Sequence, residues 1–214
     1  MTERAAVGLG HEPTTERGRR TRDALVAAAR VVFERDGYAD SRLVDIVAGA
    51  GCSVGTFYTW FDGKDEVFAA VLEQAQADML NPGTGEIAPA DDPVAIIRAS
   101  NRAYVEAHLR NGRLNQLLAQ VATLDARFLD LRRRRTEAFV ERNARAIADL
   151  QARGLADPEL DPSTAAMALS GMVSRLAGDA FLFGITDIDP LVDTATRLWT
   201  NALGLTGPDL AHQE

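Results

Sequence analysis

The chain has 214 residues, enough for one large or two small domains, and its plentiful apolar but few aromatic residues suit a helical protein. The formal net charge is −8, and the single cysteine excludes an internal disulfide framework and fits a reducing cytoplasm. The N-terminus lacks the apolar stretch of a signal peptide, and no run of about 18 uncharged apolar residues occurs. We therefore expect a cytoplasmic protein with no membrane-spanning segment.

Residues 1–18 are polar and lack periodicity, which predicts a disordered N-terminal arm. The basic cluster at its end, around Arg19, is either a solvated tail or an arm that contacts phosphates or the minor groove, and both interpretations stay open. An apolar stripe of helical period then predicts a first helix over about residues 21–35, ended by Asp36 and Gly37.

The segment from Val44 to Lys64 predicts a helix-turn-helix. A short helix with an apolar stripe ends at Gly51, and Ser53 is a good N-cap for the second short helix. Phe57 and Phe61 share the inward face of this second helix. Small and hydroxylated side chains lie outward, a pattern typical of a helix that approaches a partner closely. A third helix is predicted from about Lys64 to Leu80.

These spacings resemble the N-terminal domain of the TetR family of transcriptional regulators over roughly residues 19–80. The family's run of Ile-Ala, Ala-Gly-Val-Ser, Gly, Leu/Phe-Tyr, His/Tyr-Phe and Lys appears here as Ile46-Val47, Ala50-Gly51-Cys52-Ser53, Gly55, Phe57-Tyr58, Trp60-Phe61 and Lys64. Four positions depart from the family pattern: Val47 replaces Ala, Cys52 replaces Val, Trp60 replaces His or Tyr, and Arg42 stands where the family often has Thr or Ser. The resemblance implies a DNA-binding domain.

Within this domain we expect Thr56 and Thr59 to meet base edges, with Val54 against a thymine methyl group. Side chains around them are expected to contact phosphates, Lys64 with help from the N-terminus of its helix. The full set of predicted DNA contacts is Arg19, Arg42, Ser53, Val54, Gly55, Thr56, Tyr58, Thr59, Trp60 and Lys64. The acidic total does not argue against DNA binding, because residues 17–64 hold eight basic and six acidic residues, a local charge of +2.

After a Gly- and Pro-rich linker from about residue 81, every strong signal is helical. Helices are predicted from Asp92 to Arg110, then to about residue 123, over residues 125–153, and from Asp161 and Asp189 onward. No alternating strand pattern occurs. We predict an all-α fold with a disordered arm (1–18), a helix-turn-helix domain (19–80) and a helical ligand-binding and dimerisation domain (81–214).

The last two predicted helices are apolar over more than one face. They either form only the core of their own domain or also pack against a second subunit as a four-helix bundle, as in the family resembled. We predict the homodimer, since two-fold symmetry supplies two DNA half-sites. The predicted interface residues are Leu176, Phe181, Leu191, Leu198 and Trp199.

The helix from Asp92 carries an apolar face with a few polar groups, as in a ligand site. The same polar groups can equally be satisfied in an ordinary core. We predict a small, largely apolar ligand bound by Asn101, Tyr104, Val105 and His108. The four consecutive arginines at 132–135 point around the whole helix and are interpreted as a solvated surface, although one of them can face an acidic ligand.

No Ser-His-Asp/Glu spacing, paired carboxylates, phosphate loop or metal cluster is visible, so we expect no enzyme activity, no cofactor and no metal. The predicted function is a ligand-responsive transcriptional regulator, a repressor released from a palindromic operator in double-stranded DNA by the ligand. The alternative is an all-α ligand-binding or partner-binding protein, or an enzyme, in which the helix-turn-helix does not serve regulation.

Overall fold

The computed structural model describes residues 6–80 and 92–205, with the backbone alone for the last three residues before the gap. Over these ranges the chain forms helices and no strand, which confirms the predicted all-α class. The helices are α1 (Glu16–Asp40), α2 (Leu43–Gly49), α3 (Val54–Trp60), α4 (Lys64–Leu80), α5 (Pro93–Arg110), α6 (Gly112–Ala122), α7 (Ala126–Ala152), α8 (Pro162–Leu182) and α9 (Asp189–Ala202).

Capping side chains begin several of these helices where the sequence predicts them. Asp92 Oδ1 accepts a hydrogen bond from the backbone N–H of Ala95 (3.0 Å), and Asp161 Oδ1 accepts one from Thr164 (2.8 Å). The prediction for α1 was wrong at its start. The helix begins at Glu16, because the Thr15 hydroxyl accepts the N–H of Gly18 (3.1 Å) and so caps a turn within the polar arm.

Gly37 interrupts α1 with φ of +79°, a conformation that favours glycine, and one further helical turn follows as far as Asp40. The break at this glycine was predicted, but the extra turn was not. Tyr38, within that turn, packs its ring on the buried aromatic core described below.

The chain divides into two compact units. Unit 1 consists of the residues up to Ala77 together with the separate segment Arg113–Arg134. Unit 2 consists of Asp78–Gly112 and the residues from Arg135 onward. The predicted linker lies at residues 81–91, outside the described residues, and the predicted division at residue 81 stays a prediction. The disorder predicted for residues 1–18 was wrong from residue 6 onward, because Val7 is buried in the core of unit 1 and α1 already begins at Glu16. Residues 1–5 lie outside the described residues.

The core of unit 1 is built on aromatic rings from several helices. The Phe33 ring lies 4.9 Å from that of Phe68, and Phe68 lies 5.5 Å from Phe128 of α7 (centroid distances), with all three side chains fully buried. Phe57 and Phe61 are also fully buried, as their shared inward face predicts. Burial of this much apolar surface fixes the two short helices of the helix-turn-helix, which are too short to be stable alone.

In unit 2, α5 packs against α8 and α9. Small side chains such as Ala177 and Ala195 are fully buried there and allow the helices to approach closely. At the exposed edge, Arg98 forms an ion pair with Asp193 (2.6 Å). These contacts fix the relative positions of α5, α8 and α9, which form three walls of the cavity described below.

Candidate nucleic-acid interface and ligand cavity

The helix-turn-helix of unit 1 forms as its residues predict. Gly51 adopts φ of +64° in the turn after α2. Ser53 then caps α3, its Oγ accepting the N–H of Thr56 (3.1 Å) and lying 3.0 Å from the Thr56 hydroxyl. Phe57 anchors the helix in the core. One face of α3 is therefore held by the protein and the other is left for a partner.

The outward face of α3 is small and open. Val54 and Tyr58 are exposed, and so are Ser53, Gly55 and Thr59, whereas Thr56 is half-buried. The Thr59 hydroxyl donates to the carbonyl of Gly55 within the helix (3.2 Å), which leaves its oxygen lone pairs as acceptors. The structure thus brings five of the predicted DNA contacts to one exposed face.

Trp60 differs from its neighbours on α3. Its ring is half-buried against the core of unit 1, and a Cβ at Gly18 would lie only 2.8 Å from it. Its carbonyl accepts the backbone N–H of His11 (2.7 Å), so part of the N-terminal arm is bound at the end of α3. This position ties Trp60 to the domain interior, and its contact with DNA stays a prediction.

Lys64 is the first residue of α4, and its side chain reaches the C-terminal end of α1. Its ammonium donates to the carbonyls of Tyr38 (2.7 Å), Ala39 (3.1 Å) and Ser41 (3.2 Å), and it lies 4.8 Å from the centre of the Tyr38 ring. Three acceptors match the three N–H bonds of an ammonium group. Lys64 therefore fastens the end of α1, a role that the sequence analysis missed, and its phosphate contact stays a prediction.

Arg42 and Arg19, two of the predicted DNA contacts, are exposed, and each forms an ion pair with an acidic side chain three residues away. The Arg42 guanidinium donates to both carboxylate oxygens of Asp45 (2.8 and 3.1 Å), which raises the pKa of Arg42. Arg19 donates to Glu16 (2.8 Å). Surface pairs of this kind are weak, so both side chains can exchange their acid for a phosphate.

Unit 2 contains a cavity of about 180 Å³ bounded by α5, α7, α8 and α9. Two of the four predicted ligand residues, Asn101 and Tyr104, line it. The other lining residues are Pro93, Ile96, Ile97, Ser100, Phe139, Arg142, Asn143, Ala146, Ile147, Asp149, Leu150, Arg153, Ser170, Val173, Trp199 and Leu203. The walls are mostly apolar with a few polar groups, as in small-molecule sites.

The polar groups of the walls are held by neighbouring helices. Asn101 donates to the hydroxyl of Thr196 (3.3 Å), and Asn143 donates to that of Ser170 (2.8 Å). Burial raises the pKa of Tyr104, so its phenol is neutral. These bonds fix the amide orientations before any ligand enters.

Val105 and His108 do not line this cavity. Val105 is fully buried in the core of unit 2. His108 lies one turn beyond Tyr104 with a buried Nδ1 that has no hydrogen-bond partner, and burial lowers its pKa. The apolar face of α5 extends beyond the part that lines the cavity, and Val105 on this face packs in the core of unit 2 instead. Ligand contacts by Val105 and His108 stay predictions.

The wall contributed by α7 was not predicted from the sequence. Phe139, Arg142, Ala146 and Leu150 of this helix line the cavity, and Arg153, one residue beyond its end, continues the row. Their spacing of three to four residues places them on one helix face, which is the signal that was available. The many charges on α7 favoured its interpretation as a solvated helix instead.

The predicted dimer-interface residues separate into two environments. Leu198 is 45% exposed, whereas Trp199 is only 7% exposed and lines the cavity of its own subunit. Leu176, Phe181 and Leu191 are half-buried in the single chain. A dimer through α8 and α9 stays a prediction, and the inward position of Trp199 argues against its part in it.

Neither a metal centre nor a membrane span is found in the described parts of the chain. No three side chains among His, Cys, Asp and Glu converge there as metal ligands. No helix in the same ranges combines the length and the apolar character needed to cross a bilayer.

Residues 25–71 match the sequence profile described as "Bacterial regulatory proteins, tetR family". A TetR-family transcriptional regulator from Pectobacterium atrosepticum is 27% identical, with 90% of this chain and 97% of that chain covered and a TM-score of 0.63. GusR of Salmonella enterica (17% identical, 90% and 100% covered, TM-score 0.73) and a TetR transcription regulator from Haloarcula marismortui (17%, 87% and 97%, 0.71) share the fold. Comparison with curated protein sequences gave no significant match.

Proposed function

The chain belongs to the TetR family of bacterial regulatory proteins, and on that premise we propose that it is a ligand-responsive repressor. In this proposal a homodimer binds a near-palindromic operator in double-stranded DNA and leaves it when a small organic molecule enters unit 2. DNA-binding regulation of transcription follows from the family and the fold. The observation that carries the specific proposal is the open, small-residue face of α3.

In the proposed complex, α3 enters the major groove. Thr56 and Thr59 meet base edges, and Val54 contacts a thymine methyl group. The absence of a side chain at Gly55 allows the backbone of α3 to approach the DNA closely. Exposure of this face and its capping by Ser53 support this arrangement, because a preorganised helix loses little entropy on binding.

Phosphate contacts in this proposal come from the rim of the same face: Arg19, Arg42, Ser53, Tyr58 and Lys64. The Tyr58 ring is 54% exposed, and its hydroxyl is an uncharged donor. The arginines supply charge, which makes binding depend on salt concentration. These contacts position the protein, whereas the threonines specify sequence.

The proposed dimer forms through exposed side chains of α8 and α9. Met167 of α8 is 62% exposed and Leu198 of α9 is 45% exposed, which leaves apolar surface for a second subunit. Two-fold symmetry places two α3 helices about one turn of DNA apart, roughly 34–36 Å, so that both enter the groove on one side of the duplex.

Ligand binding is proposed to act through α7. This helix contributes residues 126–134 to unit 1 and residues 135–152 to unit 2, and it forms a wall of the cavity. A ligand that binds one arrangement of α7 better than another shifts the population of DNA-binding forms, and a coupling of about 1–3 kcal/mol is sufficient. By linkage, operator DNA weakens ligand binding by the same factor.

The experiment that tests the function is a fluorescence-anisotropy titration of labelled DNA from immediately upstream of the protein's own gene. We expect saturable binding at moderate salt by two chains per site and at least about a thousandfold preference over scrambled DNA of equal length, the lower end of the range of specific recognition. Equal affinity for the two DNAs, or binding to neither, would favour the alternative in which the helix-turn-helix serves no regulatory role.

A further inference from the structure

The segment that precedes α1 is bound to the helix-turn-helix at two points of its backbone. The carbonyl of Leu9 accepts a hydrogen bond from Arg22 Nη2 of α1 (2.7 Å). The N–H of His11 donates to the carbonyl of Trp60, the last residue of α3 (2.7 Å). Residues 7–11, which we call the strap, therefore connect α1 to the end of α3.

The strap lies in direct contact with the end of α3. Gly10 adopts φ of +81°, and a Cβ there would lie 2.3 Å from the Trp60 carbonyl oxygen and 2.5 Å from the Phe61 ring. The Arg22 guanidinium lies 5.2 Å from the centre of the same ring. Val7 anchors the start of the strap, because its side chain is only 7% exposed within the core of unit 1. A solvated tail makes no contacts of this kind.

The strap also approaches the turn between α3 and α4. Glu66 Oε2 accepts the N–H of Asp62 in this turn (2.8 Å), and a Cβ at Gly8 would lie 2.6 Å from Glu66 Oε1. His11 Nε2 lies 3.6 Å from an Asp62 carboxylate oxygen, but both side chains are exposed, so this pair contributes little. The strap is therefore held by its backbone and by Val7.

The end of α3 is where such a support has an effect. The helix runs only from Val54 to Trp60 and is too short to be stable alone. The last carbonyls of a helix have no amide partner within it, and the strap supplies one to the final carbonyl of α3. Thr59, a predicted base contact, is the residue directly before this carbonyl. The bond from His11 thus restrains the turn that carries Thr59.

We propose that the strap is a positioning element for sequence readout. Through the His11 N–H and the bond from Arg22 to Leu9, it holds the last turn of α3, and with it Thr59, in the orientation that meets base edges. This inference rests on the proposed function for the role of α3. It assigns residues 7–11 to the support of α3 and not to a contact with phosphates or the minor groove.

The test compares two replacements of His11 in the full chain without DNA. His11→Pro removes the N–H and puts a ring carbon in its place, so the strap cannot stay on the Trp60 carbonyl. His11→Ala keeps the N–H and loses only the imidazole. Hydrogen exchange followed by mass spectrometry should show the amides of α3 exchanging at least about tenfold faster in His11→Pro than in His11→Ala. Arg22→Met, which removes the bond to the Leu9 carbonyl, should shift the exchange in the same direction.

The second readout is the preference for the upstream DNA over scrambled DNA of equal length. We expect this preference to be at least about tenfold smaller in His11→Pro than in His11→Ala. The slope of log affinity against log salt concentration should be the same in both, because the phosphate contacts remain. A variant that was merely less folded would lose affinity for both DNAs alike and would keep the preference.

The proposal is overturned if α3 exchanges alike in His11→Pro and His11→Ala, or if the exchange differs while the DNA preference is the same. A shallower salt slope in His11→Pro would also overturn it, because the strap would then contact phosphates. A wild type without any DNA preference would contradict the proposed function alone, since the exchange comparison still decides whether the strap holds α3.

Discussion

Replacement of Lys64 tests two roles of one side chain, one in the stability of the domain and the other in DNA binding. The ammonium donates to three carbonyls at the end of α1, and it is also a predicted phosphate contact. Lys64→Met keeps most of the apolar stem and removes the charge and all three hydrogen bonds. We expect a less stable domain and a weaker, less salt-dependent complex with DNA.

The expected loss of stability follows from the surroundings of the three carbonyls. A hydrogen bond to a charged group contributes about 1.5–3 kcal/mol when buried. The carbonyl of Ala39 is at an exposed position and regains water at once, whereas those of Tyr38 and Ser41 are partly buried. Since the three bonds share one ammonium and are not additive, we expect the free energy of unfolding to fall by about 2–3 kcal/mol in total.

The DNA effect is measured as the slope of log affinity against log salt concentration. Each phosphate neutralised contributes about −0.9 to this slope, so loss of the Lys64 contact should make it shallower by about one unit. Arg42→Ala is the control, because Arg42 is an exposed, surface-paired residue whose loss should leave the free energy of unfolding unchanged while it flattens the slope equally.

Urea unfolding and anisotropy titrations at several salt concentrations give both quantities for each variant. A Lys64→Met protein as stable as wild type would refute the structural role derived from its three acceptors. A destabilised variant with the wild-type salt slope would instead show that Lys64 only fastens α1 and makes no phosphate contact.

Four further changes test other parts of the account. Gly10→Ala should lower the free energy of unfolding, measured in urea, by about 1–2 kcal/mol, because φ is +81° and the new Cβ would lie 2.3 Å from the carbonyl oxygen of Trp60. Gly51→Ala is its control: φ there is +64° and no atom lies near the new Cβ, so its loss of stability comes from backbone strain alone. Leu198→Glu should give monomers in sedimentation at micromolar concentration and poor DNA affinity, and an unchanged dimer would contradict the interface. Thr56→Ala should change sequence preference in a binding selection without changing the salt slope. Tyr104→Trp should weaken calorimetric ligand binding but leave ligand-free DNA affinity near wild type; equal losses in both would argue against separate sites.

The local features of this fold were predictable because they depend on neighbouring residues. Ser53, Asp92 and Asp161 cap helices where the sequence places them, and glycines such as Gly51 end helices. The inward face of α3 follows from the helical period, and burial of Phe57 confirms it. The start of α1 was missed because a polar, basic turn carries no apolar period.

Long-range packing was not predictable in the same way. The sequence does not indicate that residues 113–134 join unit 1 rather than unit 2, since that depends on contacts such as Phe128 with Phe68. Leu198 and Trp199 are adjacent in an apolar helix, yet about 100° of rotation sends one outward and the other into the core. The contribution of α7 to the cavity wall, which includes Phe139 and Arg142, was hidden among the charges of this helix, because a side chain that lines a cavity looks the same in sequence as one in water.

Footprinting on the DNA upstream of the gene tests the central claim most directly, with wild type beside Thr59→Glu, whose exposed substitution places a negative charge on the proposed DNA face of α3. We expect wild type to protect two symmetric half-sites centred about one helical turn apart, roughly 34–36 Å along the duplex. Thr59→Glu should unfold like wild type and lose the protection through charge repulsion with DNA. Protection by the variant equal to that of wild type, or no protected site for wild type, would contradict the assignment of α3 as the DNA-reading helix.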